Sequence, residues 1–308
     1  MVRWLRLVPL LPVRIGGGFV QVATGRFHGI ALASDGSVWT WGDNDDGAIG
    51  DGTTTARLTP VKVATGFVKV AAGDHHNLAV KADGTVWAWG NNEDGQLGDG
   101  TTTRRLAPVQ VFPPVPAARA PAAVTSTAIR DVRVGADFAC AIYRDGAMKC
   151  WGSNGDGQLG NDRHTDVNPL PIAVENPDAV QAALAKGAGR HFDCATHVKD
   201  CARIEARHAF LRGARTIVQS YQVLCGLMAN GKVRCDADEG HVYPNFVVEG
   251  IDAAVRIDQH DGLGCALLAD GRVKCWGGNR HGERGNGAAS DWPPVSDYRN
   301  VATPVSGL

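Results

Sequence analysis

The sequence predicts an all-β fold, a β-propeller of six recognisable repeats arranged as six or seven blades, and three observations predict it. One phrase recurs: "DGTVWAWGNNEDGQLGDGTTT" from Asp83 stands 48 residues earlier as "DGSVWTWGDNDDGAIGDGTTT", and returns worn as "DGAMKCWGSNGDGQLGN" and "DGRVKCWGGNRHGERGN". Apolar and polar residues alternate on both sides of an Asp-Gly or Asn-Gly pair, which marks a hairpin. Glycine reaches 39 of 308 residues, about 13% where about 7% is usual, so the chain turns often. Short strands and tight turns recurring about every 40 to 62 residues are the sequence pattern of propeller blades.

Taken in order, the units begin at Gly25, Gly73, Gly135, Gly189, Ser220 and His260. The fourth lacks the Gly turn and the fifth lacks the Trp-Gly pair, so residues 178–248 hold degenerate repeats within a single propeller domain spanning 1–308. Trp87 and Trp89 lie two apart on one predicted strand, so they share a face and are expected to fill the wedge between blades. Asn92, Gly95 and Gly98 follow at spacings matched by Asn44, Gly47 and Gly50, by Asn154, Gly157 and Gly160, and by Asn279, Gly282 and Gly285. These glycines are expected at positive φ, and the Asn amide is expected to satisfy loop backbone.

These units resemble repeats of the regulator of chromosome condensation family in its bacterial form, most closely in units one, two, three and six. The resemblance implies a ring of blades, usually seven, closed by pairing of the chain ends. It also implies an alternative function, an intracellular guanine-nucleotide exchange factor or chromatin-binding propeller. The chain departs from that alternative at residues 111–128, "VFPPVPAARAPAAVTSTA", a Pro/Ala-rich inserted loop without the hairpin pattern of a GTPase-contacting insert. More distantly, the chain resembles the secreted propeller-type β-lactamase inhibitor family, whose loops meet an enzyme partner.

Cysteine spacing carries the chemistry. Cys140 with Cys150, Cys225 with Cys235, and Cys265 with Cys275 lie ten apart around a hairpin turn, and Cys194 lies seven before Cys201. A three-residue turn brings each spaced-by-ten pair face to face at a separation that suits a disulfide, whereas the last pair is expected across a two-residue turn. Units one and two carry Ile30 with Thr40 and Leu78 with Ala88 at the same places. Four disulfides point to an oxidising, extracytoplasmic compartment. The start, "MVRWLRLVPLLPV", is basic and apolar but proline-containing, and has no small-residue cleavage site. Its continuation "LLPVRIGGGFVQVATG" reads like the repeat tail "LTPVKVATGFVKVAAG".

Other classes find little support. Net charge is −1, which gives no reason to expect nucleic acid, and no apolar run is long enough for a membrane span. Nucleophile-elbow, zincin and phosphate-loop motifs are missing, and no cofactor or metal is expected. His191, Asp193 and His197 are the residues an enzyme alternative near the degenerate repeats would use. "DNDDG" from Asp43 misplaces its glycine for a calcium loop. The stretch from Arg203 to Arg215 reads as a solvated basic face. Residues 178–215 read either as an eroded blade or as an inserted helix with Asp200 as N-cap and Gly213 past its end.

Function is therefore expected in the loops that vary between units. After the repeat-start glycine these are Arg26, Phe27 and His28; Asp74, His75 and His76; Asp137 and Phe138; Arg190, His191 and Phe192; Tyr221; and Asp261. After Trp-Gly they include Asp45, Asp46, Glu93, Asp94, Asp156, Arg280 and His281. Equivalent loops of successive blades gather on one face, where aromatics among charges make a protein interface. The resulting expectation is a noncatalytic, monomeric, exported scaffold that binds another protein.

Overall fold

A computed structural model describes residues 18–111, 129–161, 167–184, 190–195, 197–220, 223–237, 245–260, 262–289 and 303–304. Each good repeat folds as a four-stranded antiparallel meander. Sheet 1 comprises β1 (Phe19–Thr24), β2 (His28–Ala33), β3 (Val38–Gly42) and β4 (Arg57–Ala64). Sheet 2 repeats it with β5 (Phe67–Ala72), β6 (His76–Lys81), β7 (Val86–Gly90) and β8 (Arg105–Gln110). Sheet 3 has β9 (Ile129–Val134), β10 (Phe138–Tyr143), β11 (Met148–Ser153) and β12 (Val167–Ala173).

The repeat then breaks into α1 (Pro177–Leu184), β13 (Arg190–Asp193) and α2 (Val198–Arg207). Sheet 4 resumes with β14 (Ala214–Gln219), β15 (Val223–Met228), β16 (Val233–Ala237) and β17 (Phe246–Val247), and β13 joins it as a fifth strand beside β14. Sheet 5 has β18 (Ala254–His260), β19 (Leu263–Leu268), β20 (Val273–Gly277) and β21 (Thr303–Pro304). Six or seven blades were expected, and the described residues form five sheets. Without an Asp-Gly turn the fourth unit closes no hairpin, and its one strand is absorbed by the fifth unit's sheet. Residues 1–17 and 112–128 lie outside the described residues.

The hairpin turn is built the same way throughout. In sheet 1, Asp35 Oδ1 accepts from the Ser37 amide at 2.9 Å and its hydroxyl at 2.6 Å, while Gly36 takes φ +79°. Asp83, Asp145, Asn230 and Asp270 repeat the amide bond in the other four sheets. An Asx side chain followed by a left-handed glycine is what a three-residue hairpin turn requires.

Tryptophan fills the seams, as its spacing predicted. Trp89 is fully buried between sheets 1 and 2, and its indole N–H donates to the Ala48 carbonyl of sheet 1's loop at 3.0 Å. Trp151 donates likewise to Gln96 of sheet 2, and Trp41 to Glu283 of sheet 5, so sheet 5 packs against sheet 1. Trp87 shares the face of Trp89 but lies further out, edge-on to Phe67 and beneath the Lys81 ammonium.

Sheet 4 has Asp236 where its neighbours have this Trp, paired with buried His208 at 3.3 Å. The place against Gly160 is taken by Val180 of α1, just as Trp89 and Trp151 occupy the places against Gly50 and Gly98. The expected pairing of the chain ends falls on residues 1–17, outside the described residues; β21 pairs with β20, and Phe19 N–H reaches Gly271 O at 3.0 Å where sheets 5 and 1 meet.

All eight cysteines are bonded in the expected pairs. Three join directly opposed residues of β10–β11, β15–β16 and β19–β20 with Cα atoms 4.1 Å apart. That approach belongs to the non-hydrogen-bonded pairs of an antiparallel ladder, where side chains come closest. Ile30 opposes Thr40 and Leu78 opposes Ala88 at the matching register. The fourth pair departs from expectation: Cys194 follows β13, Cys201 lies within α2, and the bond ties strand end to helix rather than spanning a hairpin. The helix also starts earlier than predicted, with His197 as N-cap and Asp200 in its first turn. It ends at Arg207, and Gly213 follows a separate 3-10 turn, Ala209–Leu211.

Candidate functional site

Both families of variable loop lie at one end of the sheets, because β1, β5, β9 and β18 run toward the repeat-start loops while β3, β7, β11 and β20 run out into the loops after Trp-Gly. Asn44 and Asn92 shape the latter: each side-chain oxygen accepts from the amide five residues on, and each NH2 donates to two Thr carbonyls across the loop. The anticipated glycines all have positive φ.

Side chains from three sheets converge there. Phe27 of sheet 1 meets His75 of sheet 2 at 6.0 Å and His281 of sheet 5 at 5.9 Å between ring centroids, both edge-on. The Arg26 guanidinium lies 5.2 Å from the Phe27 ring centroid. His75 Nδ1 stands 3.4 Å from Asp46 Oδ2, and His281 Nδ1 stands 3.3 Å from the buried Glu283 carboxylate. Backbone bonds lock the loops together, from Arg26 N–H to Asp74 O and from Asp74 N–H to Ala136 O.

Of the other proposed site residues, His28, His76 and Phe138 present no surface. They are the first residues of β2, β6 and β10, are 1%, 0% and 4% exposed, and each lays its ring over the repeat-start glycine three residues earlier. His28 Nε2 is 3.0 Å from Asn77 Oδ1 of the next sheet. His76 has no such neighbour because sheet 3 carries Ala139 at the position of Asn77, and neither ring nitrogen has a hydrogen-bond partner. Burial drives both histidines down, His28 to about 4 and His76 to about 3, so both rings are neutral near pH 7.

Asp137 is half-buried at the same face. Burial, reinforced by the charges of Asp74 and Asp94, raises its carboxyl to about 6. Asp74 goes the other way: burial alone would raise it, but His260 Nε2, 2.9 Å away, and the nearby His75 and His76 hold it low. Burial and the Asp45 charge raise Asp43, so "DNDDG" is not a freely solvated turn. Burial also raises Asp94, with Glu93 adding to it.

His191 and Phe192 lie on β13 opposite Val218 and Ile217, and Asp193 opposite Thr216. His197 is an exposed helix N-cap. Tyr221 and Asp261 fall outside the described residues. Among the described residues no three His, Cys, Asp or Glu side chains are grouped to hold a metal, and no helix is long and apolar enough to cross a membrane. Sequence reasoning missed Asn77 and the His260–Asp74 link, because each joins different repeats.

The repeat phrase finds its counterpart in known proteins. The Regulator of chromosome condensation (RCC1) repeat matches residues 19–48, 67–96, 129–158 and 261–283 in one form and 35–80 and 83–142 in another, together more than half of the chain. The chain belongs to the RCC1 repeat family. It is 51% identical over 41 residues to the E3 ubiquitin-protein ligase HERC2 of Homo sapiens and of Mus musculus, a stretch covering 13% of this chain and 1% of those proteins. Among solved structures, human WBSCR16 is similar at TM-score 0.45 and 17% identity, covering 94% of this chain and 67% of that one. Prp20p from Saccharomyces cerevisiae, solved with attention to its binding of Gsp1p and histones, gives TM-score 0.41 and 18% identity, covering 94% and 66%. In this RCC1-repeat chain, units four and five fall outside the matched residues, where the structure places α1, α2 and the five-stranded sheet.

Proposed function

We propose that the loop face is a docking surface for another protein and that the chain is a noncatalytic scaffold working in an oxidising compartment. The observation that carries the reading is the junction of Phe27, His75 and His281, a half-buried aromatic shared by loops of three sheets and ringed by Arg26, Asp46 and Asp137. A rigid aromatic anchor with charged surroundings is the usual composition of an interface centre. Disulfides at three hairpins support an extracytoplasmic, exported location.

The test places a photo-crosslinking residue at Phe27 and, as control, at Val198, exposed on α2. A discrete adduct formed from position 27 alone, and lost in His75→Ala and Asp137→Ala, supports the reading. Equal labelling from both positions, or none from either, overturns it. Trapping free thiols in living cells separates this reading from an intracellular exchange factor: complete oxidation fits the exported scaffold, and eight alkylated thiols fit the other.

A further inference from the structure

The opposite end of the sheets carries a second feature that the loop face does not explain. In every sheet the register skips one residue near the start of the first repeat strand: Val20 in β1, Val68 in β5, Arg130 in β9, Arg215 in β14 and Val255 in β18. Such a bulge leaves one residue unpaired and re-aims its side chain. All five are exposed, with Val20 at 47%, Val68 at 55% and Val255 at 47%. Three of the seven large exposed hydrophobics among the described residues thus fall at one structural position.

These valines are neighbours, since β1 lies against both β5 and β18. The wall beneath them is tied across the seams: Gln21 Nε2 donates to Val70 O at 2.7 Å, Lys69 Nζ to Asp131 Oδ1 at 2.8 Å, and Thr24 N–H to Asp258 Oδ2 at 2.6 Å. The rim is made of hairpin turns, because Phe19 N–H bonds to Gly271 O and Phe67 N–H to Gly36 O. Each valine therefore stands one residue inside the rim. The charge is one-sided. The first three residues of these five strands include Lys69, Arg130, Arg215 and Arg256 against one carboxylate, Asp131, which Lys69 and Arg133 already hold.

We propose that this mouth docks an extended peptide segment of a partner in which acidic residues flank an aliphatic side chain. The aliphatic group covers the Val255–Val20–Val68 crescent, and the acids meet Arg130, Arg215 and Arg256. A flat anionic bilayer fits less well, because Asp35, Asp83 and Asp270 sit in the turns that form the rim.

The probe is a blocked heptapeptide with one central leucine and two glutamates on either side, titrated against the oxidised full chain while valine methyl signals are followed. Val20, Val68 and Val255 methyls are expected to shift while those of Val198, exposed on α2, stay still. Binding should weaken by about tenfold or more when lysines replace the glutamates, when glycine replaces the leucine, or in Arg130→Glu, an exposed change that leaves the fold intact. Equal binding of the lysine peptide, unmoved crescent methyls, or preference for vesicles containing phosphatidylserine over the peptide would each overturn the proposal. The loop-face residues are untouched by these changes, so their crosslinking result stands or falls separately.

Discussion

Sheets 1 and 2 hold their hairpins without a covalent bond, whereas sheets 3, 4 and 5 each carry a buried cross-strand disulfide at the same register. The first two also have a polar clasp in the loop after Trp-Gly. Asp51 accepts from Arg57 Nε at 2.5 Å and Thr53 Oγ1 at 2.7 Å, and Asp99 accepts from Arg105 Nε and Thr101 Oγ1, both at 2.7 Å. In sheets 3 and 5 the place of that acid is taken by Asn161 and Asn286. The difference teaches that one meander can be secured from its outer loop, as in sheets 1 and 2, or from its centre, as in sheets 3, 4 and 5.

The largest effect should come from the seam tryptophans. Trp89→Ala leaves a void between sheets 1 and 2 and should cost roughly 3–5 kcal/mol. Trp151→Ala removes the same mass from a sheet whose hairpin is bonded through Cys140–Cys150. Hydrogen exchange should therefore show β6–β7 losing protection in the first variant and β10–β11 keeping more of theirs in the second. Equal losses would mean that the disulfide adds nothing local.

Next comes the disulfide itself. Removing Cys225–Cys235 by a double serine substitution opens a loop of sequence separation 10 and should cost roughly 2–4 kcal/mol. Sheet 4 supplies no Trp of its own, but Trp276 packs in the cluster that holds Cys225 and Cys235 just as Trp41 packs with Cys265 and Cys275, so removing either bond should cost about the same. Denaturant midpoints of the two double variants decide it. Partial reduction should reach Cys194–Cys201 first, since Cys194 is only half-buried while the cross-strand pairs are fully buried. Asp99→Ala should be smaller, about 1 kcal/mol for the lost clasp, and Asn286→Ala smaller again, because its uncharged oxygen accepts from Asn279 Nδ2 and the Ala288 N–H.

Most of this architecture was legible because the repeat writes its own register. The Asp-Gly turn, the Trp-Gly pair at the strand's end and the Cys spacing each fix a strand pairing that the structure shows. Two things were not legible. Unit four carries none of those marks, so nothing local distinguished a lost blade from an added strand and helix. His28, His76 and Phe138 vary between repeats and so resembled surface loop residues, yet they fill one buried place. The available signal was the glycine three positions earlier, which leaves room for a ring.

That buried place supplies the smallest effect at neutral pH and the sharpest comparison between repeats. Phe138 lies over Gly135 as His76 lies over Gly73, so His76→Phe should fit and remove two ring nitrogens that have no partner, gaining about 1 kcal/mol. Its signature is in acid. His28 and His76 titrate at about 4 and about 3 in the folded chain against 6.5 unfolded, so between those values the unfolded state binds more protons and stability falls as pH drops. Asp137, raised to about 6 from 3.8, binds its proton in the folded state and opposes that fall over part of the same window. Replacing His76 should flatten the acid limb by roughly 1.4 kcal/mol per pH unit between about pH 6 and 4, leaving the His28 contribution in place. Ala139→Asn tests the same geometry from the other side, since it offers His76 the partner that Asn77 gives His28. If denaturant unfolding at pH 5 finds His76→Phe no better than the parent, the ring is not held dry and neutral in that seam.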